Sequence, residues 1–544
     1  MHEITSRPAP EAGFEQVKRI EGFDRIRTEY PAYLSDESKL KLQPFDYIFF
    51  PKDEAELSAV VREMAGRRVK VTIAGARTGL AGGCVPPEGA LISLENLNRV
   101  LAIHQDHQAG EWRVMAQAAI SLRELNTQIA ARRFPDLEKL EDQSVRAEIE
   151  RFKNDPAVYF YPPDPTELSA SLGGTIATNA SGARTYRYGP TRDWVRWLRV
   201  MLADGEFLDI PRGKYFASPA GGFVVYDSRG RGRSFKAPAY ATPFTKNTAG
   251  FFSGPHMDLI DLFIGAEGVL GVITQAEVAL LPKAKTASIV QFLQTDAQAV
   301  ELVERLRSDK RIHLDFLEFY SGRALDLLRQ RQAQDPKAVG VPEIPARAGA
   351  ALFFELAFDP EDERPDYGPL IEATAAAGAS LADSWAAYEP REMERLKIFR
   401  HVLPETINAI IAERQKQHPG LHKLGTDLAV PDDRLRDMWR MYEESLNSSG
   451  LQWTALGHIG NNHLHINLLP RNMDEFNQGQ DLYRRFAAQA VEMGGTVSAE
   501  HGIGKIKIKY LEAMYGVGEM AQMKAVKEAL DPERLLNPGD LFAD

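Results

Sequence analysis

The chemically densest stretches of this chain are TALGHIGNNHLHINLLP and TVSAEHGIGKIKIKYL. After the GNN turn, HLHINLL has the alternation of a strand. Period-two spacing puts His463, His465 and Asn467 on one face and Leu464, Ile466 and Leu468 on the other. His458 precedes the turn, where the chain can fold back beside that polar face. Thirty-five residues after His465, Glu500 and His501 stand before GIGK, whose glycines force a tight turn. Two imidazoles and a carboxylate suffice for an open zinc or related divalent site that keeps positions for substrate. The spacing fits no helical HExxH motif, and hydrogen-bonded core histidines are the alternative.

Three small-residue clusters lie upstream. The loop Ala74 to Pro86 has glycines at 75, 79, 82 and 83, which can turn backbone N–H groups inward as a nest for an anion. It lacks the GxxxxGK[ST] of a P-loop and an orderly GxGxxG opening a helix, so read alone it is a structural turn or a phosphate site. YPPDPTELSASLGGTIATNASGARTYRYG (161–189) joins a rigid proline run to Gly173, Gly174 and Gly182, with Thr178, Asn179 and Ser181 as hydrogen-bonding groups; GAEGVLG (265–271) is the third cluster. Small side chains let a large flat ligand lie against backbone, so three clusters in one region suggest a dinucleotide threaded between subdomains.

The elements that must position these residues follow from pattern. Residues 1–41 read as an irregular lead-in with one helix around EQVKRIEGF. From Tyr47 a strand YIFFP, a helix DEAELSAVVREMAGR and a strand VKVTIAG begin an α/β unit. LEKLEDQSVRAEIERFKNDP reads as a solvated inserted helix and RGRGRSFKAPAYATPF as a long surface loop. LFIGAEGVLGVITQAEVALLPK closes this region. After Lys283, strands such as SIVQFLQ and AALFFELAF alternate with long helices, which predicts a second α+β domain. The expected division is a lead-in 1–41, a first domain 42–284, a second 285–525, and a return to the first at 526–544.

Composition limits the function classes. The 544 residues carry a net charge of −11, with no Lys/Arg block, which argues against nucleic acid as a partner. No run of eighteen apolar residues exists, so no membrane-spanning helix is expected, and MHEITSRPAPEAGF has neither region of a signal peptide. The single cysteine, Cys84, excludes a disulfide framework, an iron–sulfur cluster and a cysteine-built zinc site within this chain. If the protein passes electrons on, an organic cofactor must hold them. The expected location is the cytoplasm, free or peripherally at a membrane.

The succession GARTGLAGGCVP, PPDP…LGGTIATNASGARTYRYG and LFIGAEGVLG resembles the FAD-binding domain of vanillyl-alcohol-oxidase type flavoproteins. With EHGIGK, the chain over roughly 42–540 resembles the FAD-linked D-2-hydroxyacid dehydrogenases: D-lactate dehydrogenase, the glycolate oxidase flavin subunit and D-2-hydroxyglutarate dehydrogenase. That resemblance implies an α+β protein, a two-subdomain FAD-binding domain plus a substrate (cap) domain with a largely antiparallel sheet. It implies that Gly75, Ala76, Thr78, Gly79 and Gly83 wrap the FAD pyrophosphate, with Arg77 where the family has a glycine. It implies that Pro163, Gly173, Gly174, Asn179, Ser181, Gly182, Glu267, Gly268 and Ile273 line the flavin and adenine, and that Asn537 contacts the cofactor. No histidine lies in 71–90, so non-covalent FAD is expected, with Cys84 a small buried residue.

The same resemblance makes His458, His465 and Glu500 the ligands of a divalent metal, zinc or similar. Asn467 becomes a substrate contact and His501 the catalytic base. His463 replaces a family asparagine, and Asn461-Asn462 a usual Asp-Gly. Arg400 matches an arginine that grips the substrate carboxylate; an exposed helical arginine is the alternative. Lys423 reads as a surface lysine, and Asn-Pro-Gly at 537–539 also reads as a simple helix stop. The implied activity is oxidation of a D-2-hydroxy acid to the 2-oxo acid, with hydride to FAD and electrons to an external quinone, cytochrome or electron-transfer protein; a homodimer stays open. The alternatives are another substrate class on the scaffold, such as an alkyl-glycerone-phosphate synthase or an alcohol oxidase, or a flavin electron-relay subunit. Pattern alone does not choose among lactate, glycolate and 2-hydroxyglutarate.

Overall fold

The structure, a computed structural model, describes residues 12–40, 43–334, 342–359 and 361–543. Near the N-terminus, Asp53 caps the helix Glu54–Arg67 by accepting the Glu56 N–H. Leu57, Val60, Val61 and Met64 recur on one face of that helix and bury against Phe49, Val71, Ala90 and Ile92 of a four-stranded sheet. Its order is Arg19–Glu21, Tyr47–Phe49, Ala90–Ser93, Val71–Ala74, parallel except for the first pair. The helix expected around 15–23 is instead a short 3₁₀ turn, the edge strand Arg19–Glu21 and a helix that starts only at Phe23–Glu29. Gly22, at φ +88°, separates strand from helix, and Ile20 must alternate into the sheet's core.

A second layer is a five-stranded antiparallel sheet, Val100–Asp106, Glu111–Gln117, Val272–Ala279, Val195–Met201 and Phe207–Pro211. The segment read as a surface loop at 229–244 supplies the strand Gly232–Lys236, paired with Gly222–Tyr226 in a hairpin. Its glycines and arginines suggested a loop, yet Phe235 alternates inward against Phe223, which decides the local structure.

The third sheet has eight antiparallel strands. Along the main path they run Ser384–Ala387, Lys285–Leu293, Ala350–Phe358, Leu314–Ser321, Trp453–His458, His463–Leu468 and Leu424–Gly425, with Leu428–Ala429 also on His463–Leu468. Both faces are covered. Ile289, Leu317, Phe319, Leu352 and Phe354 pack with the helices Asp296–Ser308 and Leu435–Ser449. Val290, Phe292, Phe316, Tyr320 and Phe353 pack with the helices Gly322–Gln334 and Pro390–Gln415. Two-sided burial explains why these strands read as continuous apolar runs. The fold is therefore α+β, a two-sheet region followed by a mainly antiparallel cap sheet. Among the described residues no helix is long and apolar enough to cross a membrane.

Candidate active site

The polar residues of the last strands share one sheet face. Trp453–His458 and His463–Leu468 form a hairpin in which His458 sits opposite His463 and Leu456 opposite His465. Asn462, at φ +51°, turns the chain, and its amide is held by the carbonyls of Val430 and Pro431. The expected alternation places Leu464, Ile466 and Leu468 in one core and the imidazoles on the opposite face.

Glu500 lies at the centre of this face. Its Oε2 is 3.4 Å from His458 Nε2 and 3.8 Å from His463 Nδ1, and its Oε1 is 3.2 Å from His465 Nε2. Each ring's other nitrogen faces an oxygen: His465 Nδ1 is hydrogen-bonded to the Thr426 carbonyl at 3.0 Å, while His458 Nδ1, 3.1 Å from Glu318, and His463 Nε2, 3.2 Å from Asp427, lie beside carboxylates without a hydrogen bond. Such outer partners orient an imidazole and direct its free nitrogen inward. One donor atom from each of His458, His463, His465 and Glu500 lies within 4.8 Å of the others. The donors fit a divalent cation, and the buried Nδ1 of His463 has no hydrogen-bond partner of its own.

Charge sets the states of these groups. Burial opposes ionisation of Glu500, but the Lys246 ammonium at 2.7 Å, with His458, holds its carboxyl well below the usual range. Burial and the neighbouring His465 push His463 well below the ordinary imidazole value, so it is neutral. Burial and Lys246 press His458 downward as well, yet its two carboxylate neighbours raise it.

His501 stands at the edge of the cluster, 28% exposed, its ring stacked on His465 at 5.7 Å and 16°. Asp427 holds its segment in place. The two carboxylate oxygens of Asp427 accept the backbone N–H groups of Ala499, Glu500 and His501, the Ser498 hydroxyl and the Lys507 ammonium. Arg400 is half-buried, its side chain 20% exposed, and not a fully exposed helical arginine. Its Nε is 3.0 Å from Glu318, the carboxylate that also meets His458, and its Nη2 is buried without a partner. Asn467 is buried with its amide on the His465 carbonyl, and a side chain built at Gly425 would meet both Asn467 and Lys423. Lys423 itself is exposed.

The glycine clusters sort into two kinds. At Gly75, Gly173, Gly182 and Gly268 an added Cβ would collide with Ser171, Ala118, Asp164 and Asn537 respectively, so the protein's own packing requires glycine there. At Gly79 a Cβ would meet open space, and Gly174 would crowd only the Ser171 hydroxyl. Arg77, Asn179, Glu267 and Asn537 are non-glycine residues at φ between +46° and +57°. Strained backbone of this kind gathers at ligand-binding sites. The Arg77 guanidinium lies over the Tyr33 ring at 4.1 Å. Ser181 Oγ is buried and unpartnered, and Pro163 and Ile273 are buried. Open backbone at Ala76–Gly79, with an unsatisfied hydroxyl beyond, suits a phosphate-bearing dinucleotide.

These two regions are joined. Glu267 accepts the N–H groups of Ile503 (2.7 Å) and Gly504 (2.8 Å), while Lys505 N–H donates to the Ala81 carbonyl at 2.9 Å. Asn537 receives the Ile73 N–H and donates to the Glu267 carbonyl, both at 2.8 Å. Thus the turn that carries Glu500 and His501 is fixed to the glycine loop and to GAEG together. Glu318, Asp427 and Lys246 escape notice in the sequence because each is a lone charged residue whose partners lie far along the chain.

Residues 45–145 and 153–211 match the family described as FAD binding domain, and residues 281–541 the family described as FAD linked oxidases, C-terminal domain. The chain is 27% identical to glycolate oxidase subunit GlcD of Bacillus subtilis, over 97% of this chain and 95% of that one. It is 28% identical to D-2-hydroxyglutarate dehydrogenase of Xanthomonas citri pv. viticola (91% and 89% covered) and 27% identical to D-lactate dehydrogenase of Anaerostipes hadrus (89% and 87%). An alkyldihydroxyacetonephosphate synthase structure shares the fold at a TM-score of 0.55, with 15% identity over 98% of this chain and 90% of that one. Carrying both matched domains on one chain, the protein belongs to the FAD-linked oxidases and is an FAD-dependent oxidoreductase.

Proposed function

We propose that the protein oxidises a D-2-hydroxy acid to the 2-oxo acid. The observation that carries this reading is the attachment of the Glu500–His501 turn to Glu267 and Ala81, which sets an imidazole cluster against the cofactor cradle. The relatives act on glycolate, 2-hydroxyglutarate and lactate by their names, all 2-hydroxy acids. FAD, bound non-covalently, would supply a hydride acceptor, and a divalent cation held by His458, His465 and Glu500 would supply positive charge for the substrate's oxygens.

The remaining work falls to side chains. Arg400 offers its unpartnered Nη2 to the substrate carboxylate, while Glu318 fixes the guanidinium from behind. Asn467 contacts the same substrate. His501 takes the hydroxyl proton as the α C–H bond breaks; the hydrogen leaves with its electron pair, and the C–O bond becomes a carbonyl. Asp427, 3.5 Å from His501 Nδ1, stabilises the imidazolium that results. Electrons then pass to an external acceptor, since the lone Cys84 provides no cluster; burial pushes its thiol up to about 11.

Anaerobic mixing with a panel of D- and L-2-hydroxy acids tests the reading. Bleaching of the flavin by a D-acid and not by its L-enantiomer is expected. A FAD-loaded protein that no acid on the panel reduces would contradict it.

A further inference from the structure

We propose that His463 is a fourth protein donor to the cation, so that three imidazoles and one carboxylate hold a six-coordinate first-row ion such as Mn²⁺, Fe²⁺ or Co²⁺ rather than four-coordinate zinc. This deepens the metal reading above and rests on it.

The first argument is placement. Cross-strand pairing sets His463 directly opposite His458, and the ring centroids of His458, His463 and His465 lie 4.3–5.6 Å apart. A core histidine that merely fills space places both nitrogens in hydrogen bonds. His463 does not: its side chain is 0% exposed, and Nδ1 faces Glu500 Oε2 at 3.8 Å without a bond. An unsatisfied buried polar atom is destabilising, and a bound cation would satisfy it.

The second argument is orientation. Asp427 Oδ1 lies 3.2 Å behind Nε2 and so presents Nδ1 to the same centre that His458 and His465 face. Asp427 is itself held by three backbone N–H groups and Lys507, so it cannot follow a rotated ring.

The third argument is the donor count. Four protein donors complete a tetrahedral ion and leave no position for a substrate oxygen. A 2-hydroxy acid offers two oxygens, its hydroxyl and its carboxylate. Six-coordinate ions accommodate four protein donors and both of these.

The FAD-loaded protein, stripped with a chelator and reloaded with Mn²⁺ alone, tests the assignment by pulsed electron paramagnetic resonance. Three directly bound imidazole nitrogens are expected in the wild type; two, or none, overturn the proposal. His463→Asn should lower Mn²⁺ affinity by roughly 100-fold, at the top of the range that loss of an outer partner produces. Unchanged affinity overturns it. FAD content and thermal stability show whether the variant folds, and if it does not, the wild-type nitrogen count still decides. X-ray absorption on the Co²⁺-loaded protein should count six light donors, and four would refute the choice of ion. Flavin bleaching separates the two readings: three nitrogens with a flavin that no hydroxy acid reduces would defeat the function and not the coordination.

Discussion

His501 differs from the other imidazoles of the cluster in what surrounds it. His458 and His463 are buried, with exposed fractions of 7% and 0%, whereas His501 keeps 28% of its side chain accessible. It stacks on His465 without being enclosed by donors, as a proton acceptor must if protons are to leave. With His501 in the proposed role of base for the substrate proton, His501→Ala should slow anaerobic flavin reduction by about 10²–10⁴-fold while FAD content stays at the wild-type level. Stopped-flow absorbance with the best acid of the panel measures both; unchanged reduction would remove His501 from its role. Arg400 calls for a different readout. Its planar fork holds Glu318 through Nε and leaves Nη2 free, and a lysine cannot do both at once. Arg400→Lys should therefore raise KM for the hydroxy acid about tenfold to hundredfold, the worth of a charged hydrogen bond, with a smaller change in kcat. A KM within twofold of wild type would place the carboxylate elsewhere.

At the scale of elements, one carboxylate organises the turn that presents the site. Asp427 follows the short strand Leu424–Gly425 and gathers three consecutive N–H groups, a hydroxyl and an ammonium, at 1% exposure. Asp427→Asn replaces an acceptor with donors facing donors and leaves the half-buried Lys507 without its charge partner. Breaking a buried pair from one side costs about 3–5 kcal/mol, so thermal unfolding should begin several degrees lower, with FAD released in the same transition. A melting curve superimposed on the wild type would show that the hub is dispensable. What made the hairpin readable from sequence was its economy: strand, GNN turn and strand occupy sixteen residues with strict alternation. Asp427, Glu318 and Lys246 show no such local pattern, because cross-strand register and a junction between domains create their partnerships. The hairpin at 222–236 was hidden for the opposite reason. Turn-forming composition masked the single inward Phe235 that makes Gly232–Lys236 a strand. His463, read from sequence as a replacement at an unassigned position, gains meaning only once its ring is seen opposite His458.

For the whole molecule, the chain's end closes the cofactor region that its beginning opens. Leu535 and Asn537 meet Val71 backbone to backbone, and the segment then passes under the glycine loop. A change of strand and helix period near residue 283 is visible in the sequence; this final crossing is visible only through resemblance, since Asn-Pro-Gly looks like a helix stop. The crossing carries Asp540, whose Oδ2 is buried and unpartnered and sits where a Cβ on Gly83 would touch it. Around it are Lys505, at 2.8 Å from Oδ1, the carboxylates of Glu267 and Asp36, and the Cys84 thiol. Burial, with Glu267, pushes Asp540 up to about 7 from an ordinary 3.8 despite Lys505. A carboxyl raised on folding favours the neutral form, so its contribution to stability is full below about pH 4 and is lost as pH climbs through 7. The shift corresponds to at most about 4 kcal/mol. Diphosphate charge brought to Gly83 opposes ionisation of the same group further. FAD affinity should accordingly weaken as pH rises from 6 to 8, and Asp540→Asn should flatten that dependence while binding FAD more tightly at pH 8. Titration of the stripped protein with FAD across this range, read by flavin fluorescence, decides the matter. A slope that survives in the asparagine variant would mean that another group titrates against the pyrophosphate.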